Sequence, residues 1–475
     1  MHPDEFRRHA HELVDWMADY LNRVSELPVT PGVAPGEIAG RLPPAPPEEG
    51  EPFPRLFADF QSLIVPGMTH WNHPGWFAYF PGNNSPPSIL AEMLTATLGA
   101  QCMSWATSPA ATELEQVTMD WLRQMLGLPE AFVGVIQDTA STATLVALLS
   151  ARERASGYQS GQQGMAERPR LTVYTSSQAH SSVAKGVRLA GYGLDHLRQI
   201  PVDAAYAMRA DALAEAIKTD VAAGLRPACV VATVGTTSST AIDPLLDIVE
   251  VCRHYGVWLH VDAAYAGTAA IVPELRRLFE GMEQADSLVL NPHKWMLVNF
   301  DCSAYYVRDR EALLRTFRIT PEYLRTAEDD AVVNFRDWGI QLGRRFRALK
   351  LWFVVRSYGV EGLRSVVRAH VSLARALATW IEEDPAFELM APVPFGLVCF
   401  RFRPAGASEG TALDQLNREL LRRVNASRRV HLTHTELDGR FVIRLVVGQR
   451  QTERSHVEAA WSLIRREAEG LKLSR

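Results

Sequence analysis

The chain has 475 residues, 47% of them apolar and 22% charged, with 49 Lys and Arg against 54 Asp and Glu and a net charge of −5. That length exceeds one average core and predicts two or three domains. The near-balanced charge offers no basic face for nucleic acid, and no apolar run approaches the roughly 20 residues needed to span a bilayer.

Residues Asp4 to Ser25 place Phe6, Ala10, Leu13, Trp16, Met17, Tyr20, Leu21 and Val24 at helical spacing along one apolar stripe. This stripe needs a surface on the chain's own body or on a second subunit. The same stretch is charged and lacks the uninterrupted apolar run of a signal peptide. Pro28 to Pro54 is proline-rich and predicts an extended connector. Phe53 to Ile64 predicts another helix. From Thr69 to Asn84 the chain crowds Trp71, Trp76, Phe77, Tyr79 and Phe80 among turn residues, so these aromatics either fill a core or line a pocket for a flat apolar ligand. His70 and His73 have loosely metal-like spacing, but no acidic or Cys cluster accompanies them, and no metal is expected. His431 and His434 read as exposed polar residues. The five cysteines, Cys102, Cys229, Cys252, Cys302 and Cys399, include no CxxC pair, which argues against a disulfide framework and fits a reducing cytoplasm.

Ser85 to Leu126 predicts helix, broken near Ser104 to Pro109. Strands and helices then alternate. Val133 to Gln137 reads as a strand, Asp138 to Thr142 as a small polar turn, and Ala143 to Arg154 as a helix. Backbone N–H groups at such a helix start favour an anion, although Ser and Thr are equally at home there as plain caps. After a polar insert, Gly157 to Arg168, further strands are expected at Leu171–Tyr174, Ala228–Val234, Val257–Val261 and Ser287–Leu290. Apolar runs separated by helices indicate a parallel sheet covered on both faces, and in such sheets ligands bind beyond the carboxyl ends of the strands. Those ends supply Thr139 to Thr142, His180, Thr237, Asp262, and His293 with Lys294.

Each of these residues has an ordinary reading by itself: a cap, a turn hydroxyl, a buried acid, a surface amine. Gathered at one rim, they offer an anion cradle, a flat stacking ring, a carboxylate and an amine, which are the four things pyridoxal phosphate requires. A lysine just past a buried strand is also suited to Schiff-base chemistry, because burial lowers its pKa. Further on, Phe317 to Phe335 is rich in Arg, Asp and Glu, with little to bury except Tyr323 and Leu324, and predicts a mobile loop of the kind that closes over sites. Trp338 to Tyr358 predicts a long helix. From Gly359, helix (Val360–Glu383), strand (Gly396–Phe402), helix (Thr411–Asn425), strands (Val430–Thr433 and Phe441–Val447) and helix (Thr452–Leu471) suggest a small α+β domain. The expected division is 1–84, 85–358 and 359–475.

With these residues in place, the chain resembles the group II pyridoxal-phosphate decarboxylases, and most closely the aromatic-L-amino-acid decarboxylases, over nearly its whole length. The motifs are Gly67-Met68-Thr69-His70-Trp71, Phe77-Ala78-Tyr79-Phe80-Pro81, Ser104-Trp105, Ser108-Pro109, His260 to Gly267, Asn291-Pro292-His293-Lys294-Trp295 and Leu342 to Arg347. The resemblance implies a fold-type I α/β enzyme: a mostly parallel seven-stranded sheet flanked by helices, an N-terminal helical segment and a small C-terminal α+β domain. It also implies a homodimer with active sites shared between subunits. Carried over, Lys294 is the Schiff-base lysine, Asp262 pairs with the pyridine nitrogen, His180 stacks on the ring, and Ala140, Ser141, Asn291 and His293 hold the phosphate. Thr237 and Ala264 border the cofactor. Tyr323 is the proton donor to the carbon that has lost CO₂.

The reaction implied is decarboxylation of an aromatic L-amino acid of the tryptophan, 5-hydroxytryptophan or DOPA class to its arylalkylamine. Aldehyde-forming relatives carry Phe where this chain has Tyr323, and some carry Asn where it has His180, so the resemblance favours amine formation over aldehyde synthesis; a non-catalytic protein of the same fold is the third reading. Trp71, Tyr79, Phe80, Pro81, Gly82, Gln101, Met103 and Gly343 are the implied substrate residues. Gly82, Gln101 and Met103 depart from the animal enzymes, which place Thr, Ile and Phe there. Gly343 stands where histidine- and tyrosine-preferring relatives tend to carry Ser, which favours a bulky indole or a catechol.

Overall fold

The computed structural model describes residues 1–166, 169–319, 321–325, 327–329 and 331–472. Glu167 and Arg168 of the polar insert, and Thr320, Thr326 and Asp330 of the expected loop, lie outside the described residues. Two compact units emerge, one of Met1–Pro81, Asp384–Glu388 and Arg401–Arg475, the other of Gly82–Glu383 and Leu389–Phe400. The N-terminal residues thus share a unit with C-terminal ones, and the second unit runs on past Tyr358 to Glu383. The reason is the helix Arg347–Glu383, which bends at Gly359 (φ 64°) yet keeps Leu363, Val367, Val371, Ala374 and Leu377 buried at helical spacing beyond the bend.

The second unit is built on seven strands: β1 (Val133–Gln137), β2 (Leu171–Ser176), β3 (Leu197–Ile200), β4 (Arg226–Thr233), β5 (Trp258–Asp262), β6 (Ser287–Leu290) and β7 (Ser303–Val307), in the order β1-β7-β6-β5-β4-β2-β3. The register is parallel between β2 and β3, β2 and β4, β4 and β5, and β5 and β6. Only β7 runs against its neighbours β1 and β6. Strands β2, β5, β6 and β7 are buried along their full length, as a sheet covered on both faces requires. The helix Ala140–Ala155 contributes Ala143, Val146, Ala147, Leu148 and Ala151 to a core shared with Val173, Val231, Trp258 and Tyr305 of the sheet.

The helical stretch expected from Ser85 to Leu126 is two helices, Pro86–Leu98 and Pro109–Leu126, each opened by proline and closed by a left-handed glycine, Gly99 or Gly127. The helix expected from Trp338 begins only at Arg347. Residues before it are held out of the helix by bonds to a distant segment: Cys102 N–H donates to Arg344 O at 2.9 Å, and Arg344 N–H donates to the Gln101 side chain at 2.6 Å.

In the first unit the helix Pro3–Arg23 turns its stripe onto its own body: Trp16 meets Phe60 at 5.1 Å and Phe57 at 6.2 Å, while Phe6 and Val14 stay exposed. A second sheet, not assigned whole to either unit, has four strands, β8 (Phe387–Leu389), β9 (Leu397–Phe402), β10 (Thr433–Leu437) and β11 (Arg440–Val446), in the order β10-β11-β9-β8. The strand expected at Val430–Thr433 instead starts at Thr433, because the hairpin turn is Asp438-Gly439, both at positive φ, and β10 and β11 pair outward from it.

Candidate active site

Because β1, β6, β5, β4 and β2 run in one direction, their carboxyl ends share one edge of the sheet. In spatial order these ends lead to Thr139 and the helix Ala140–Ala155, to Asn291–Lys294, to Asp262, to Thr236 and Thr237, and to His180. The sequence motifs far apart in the chain are therefore neighbours along one rim.

Lys294 sits in the one-turn helix Pro292–Trp295, its N–H donating to Asn291 O at 2.9 Å. Burial holds its pKa below the ordinary lysine value, and the Asp262 charge works the other way. Asp262 is buried, and its Oδ1 accepts the Ala264 N–H at 3.0 Å. One oxygen is thus held by backbone, which fixes the direction of the carboxylate. Two residues earlier on the same face of β5, His260 shares a 2.9 Å hydrogen bond with the Ser287 hydroxyl through Nδ1. Its Nε2 has no hydrogen-bond partner among the described residues, and burial takes its pKa down to about 4.

At the rim's other end, the Thr139 hydroxyl accepts the Thr142 N–H at 3.4 Å as helix cap. The first-turn N–H groups of Ala140 and Ser141 have no partner within the helix, and Ser141 is exposed beside them. Asn291 Oδ1 accepts the Ser303 hydroxyl. His293 is buried, accepts the Cys302 N–H at 3.0 Å through Nδ1, and has its pKa pulled to about 4 chiefly by burial. It is therefore neutral at pH 7, with its remaining proton on Nε2. His180 is oriented in the same way: its Nδ1 accepts the Ser182 N–H at 3.1 Å and lies 2.9 Å from the Ser182 hydroxyl. Its outer face is open to solvent, yet the protein packed around the ring lowers its pKa, against the pull of Asp262. Thr237 is exposed and Ala264 half-buried.

This donor set fits pyridoxal phosphate. A helix start with free N–H groups, a hydroxyl and a neutral imidazole N–H suit a phosphate. A fixed carboxylate suits a ring nitrogen, and a buried amine whose pKa lies below the ordinary lysine value suits an aldehyde.

The expected substrate residues divide between the units. Gly82, Gln101, Met103 and Gly343 belong to the second, where Gln101 and Gly343 touch: a β-carbon on Gly343 would lie 3.2 Å from Gln101 Nε2. Met103 O accepts the Arg336 N–H at 2.8 Å. Behind them, Arg344 donates to Glu115 at 2.6 Å and to Ile136 O at 2.9 Å, which ties this wall to the carboxyl end of β1. Trp71, Tyr79, Phe80 and Pro81 belong to the first unit. There Trp71 stacks on Tyr79 at 5.7 Å, Trp76 stacks on His431 at 5.2 Å, and Arg444 lies 5.4 Å over the Phe80 ring. Pro81 is buried against Gly448. His70 bonds Tyr20 and His73 bonds Gly75 N–H. Tyr323 lies in the turn Glu322–Leu324 and is 78% exposed, so this chain alone does not enclose it.

Sequence reasoning missed Asn83, whose side-chain N–H donates to Lys294 O at 2.9 Å, and the supporting Ser182, Cys302 and Ser303. Asn83 lies 211 residues from its partner, so no local pattern marks it, while Ser182, Cys302 and Ser303 bond residues 2, 9 and 12 positions away without a distinctive motif.

The family model described as pyridoxal-dependent decarboxylase conserved domain matches residues 35–403. Aromatic-L-amino-acid decarboxylase of Rattus norvegicus is 46% identical over 477 residues, covering 97% of each chain. Phenylacetaldehyde synthase of Arabidopsis thaliana is 43% identical, covering 98% of this chain and 96% of its own. Among solved structures, Oryza sativa TDC with PLP and tryptamine superposes with a TM-score of 0.96 at 40% identity, covering 99% of both chains.

Proposed function

The chain belongs to the pyridoxal-dependent decarboxylase family and is a pyridoxal-phosphate-dependent carboxy-lyase of aromatic amino acids, and from that premise we propose how its own residues divide the work. When bound, pyridoxal phosphate supplies an aldehyde that captures an amine and a protonated ring that accepts the electrons left behind by departing CO₂. Lys294 offers the amine that holds the aldehyde until substrate displaces it. Asp262 keeps a proton on the ring nitrogen. His180 covers the ring, while Ala140, Ser141, Asn291 and His293 grip the phosphate. Thr237 and Ala264 border the ring. Tyr323 delivers the proton that replaces CO₂ on the substrate carbon, which yields an amine.

The observation that carries this reading is the placement of Lys294 and Asp262 at one sheet edge, where burial lowers the lysine's pKa and the acid's charge acts in the opposite direction. The test is amine and CO₂ release across tryptophan, 5-hydroxytryptophan, DOPA, tyrosine, phenylalanine and histidine. Indoles or DOPA are expected to lead and histidine to trail, and Lys294→Ala is expected to abolish turnover. Full activity in Lys294→Ala would overturn the assignment.

The substrate residues we propose within the second unit are Gly82, Gln101, Met103 and Gly343. The working form we propose is a homodimer; support comes from exposed Leu90, Leu94 and Leu98, spaced four residues apart along the helix Pro86–Leu98 and so on one face of it. Five free, buried cysteines support a reducing, cytoplasmic setting. No helix of the described residues is long and apolar enough to cross a membrane.

A further inference from the structure

The segment that carries Lys294 is fastened from one side at three successive points. Asn83 donates its side-chain N–H to Lys294 O at 2.9 Å, and the Ser85 hydroxyl donates to Leu297 O at 2.8 Å. The Ser88 hydroxyl accepts the Asn299 N–H at 2.8 Å and bonds the Asn299 side chain. Glu92, one turn further along the same helix, accepts from Asn299 Nδ2 at 3.2 Å. Asn83, Ser85 and Ser88 are all essentially buried.

Two features show that these bonds oppose a real cost. Leu297 stands at φ 59°, the left-handed region that a branched side chain rarely enters, and such a conformation persists only where surrounding contacts hold it. Ser85 also departs from its usual duty. A serine before a helix normally caps the helix's own N–H groups. This helix begins with Pro86 and Pro87, which have no N–H to cap. The Ser85 hydroxyl makes no capping bond and turns to Leu297 O instead.

We propose that Asn83, Ser85 and Ser88 form a clamp that preorganises the Lys294 turn, and that Asn83 is a positioning residue for the lysine amine. A lysine on a long flexible stem is aimed only as well as its backbone is fixed. The clamp fixes that backbone at Lys294 itself and at the strained residue three positions later. Loosening it leaves the fold and the cofactor donors in place but lets the amine wander. The inference rests on the assignment of Lys294 as the cofactor lysine.

The test uses the full-length holoenzyme and two variants, Ser85→Ala and Asn83→Ala. Ser85→Ala removes one oxygen from a buried site and serves where Asn83→Ala fails to fold. Two readouts are followed: the pH midpoint of the visible absorption band, and the rate of cofactor loss on dilution. Each lost bond should speed cofactor loss roughly five- to tenfold and move the pH midpoint by roughly half a unit, with the melting temperature changed little. Folded variants with wild-type midpoint and wild-type release would overturn the clamp. So would variants that melt earlier but keep both readouts, since the bonds would then serve the fold alone. A wild-type protein that stays colourless with pyridoxal phosphate would instead sink the assignment of Lys294, so the two failures are distinguishable.

Discussion

Gly343 and Gln101 lie directly against each other: the Gln101 side-chain oxygen is held 2.6 Å from Arg344 N, and this turns its amide nitrogen toward the place a β-carbon of residue 343 would occupy, 3.2 Å away. Glycine here therefore leaves space for the neighbouring amide. Gly343→Ser is expected to push Gln101 aside and to lower kcat/KM for indole substrates about tenfold or more, the order set by one added group in a tight pocket. Gln101→Ala should relieve part of that loss, because it removes the crowded atom. Measuring both single variants and the double variant checks this. Additive losses would mean that the two residues act independently.

Asp262→Asn separates the charge of the site from its shape. Asparagine keeps an oxygen to accept the Ala264 N–H, so the local backbone should persist. The negative charge that opposes the loss of the Lys294 proton disappears. Turnover should fall by about two orders of magnitude or more, as is usual when one preorganised electrostatic group is removed, while the protein still binds pyridoxal phosphate. Single-turnover measurements on the variant check the claim, and turnover within a few-fold of wild type would contradict the role given to Asp262.

Tyr323 is the residue proposed to decide between amine and aldehyde. It is exposed in the single chain, and a phenol in a turn is a suitable proton donor only once something closes over it. Tyr323→Phe should lower amine yield and raise aldehyde and hydrogen peroxide, with O₂ consumed in step. Quantifying all three products against CO₂ checks it. An unchanged amine-to-CO₂ ratio would remove Tyr323 from the chemistry.

How much of this was legible in the sequence depended on how local each constraint is. Lys294, Asp262 and His180 could be read because each follows a buried strand, and parallel strands bring their carboxyl ends together. Three strands, Leu197–Ile200, Ser303–Val307 and Phe387–Leu389, were not separately apparent: the first and last are short edge strands, and the second runs antiparallel close behind the Lys294 segment. The onset of the helix at Arg347 was hidden because Gln101 and Cys102, far back in the chain, hold Arg344 out of it. The Asn83–Ser85 clamp was hidden for the same reason. A serine before two prolines reads as a helix start, and its true partner, Leu297, lies 212 residues away.

The buried histidines predict how the protein responds to acid. His260 and His293 are both pulled from 6.5 to about 4, in each case chiefly by burial. In the unfolded chain each would take up a proton near its ordinary pKa. Between about pH 6.5 and 4 the unfolded state therefore binds more protons than the folded one, and stability falls as pH falls. Each histidine contributes up to roughly 3 kcal/mol of that loss by the bottom of the window. The melting temperature should hold near neutral pH and drop progressively from pH 6.5 to 4.5. His260→Asn should flatten the slope, because Asn cannot take up the proton, even though loss of the Ser287 bond lowers stability at pH 7. Melting curves of both proteins at half-unit steps of pH decide it: parallel slopes for wild type and variant would show that His260 is not one of the groups through which acid acts.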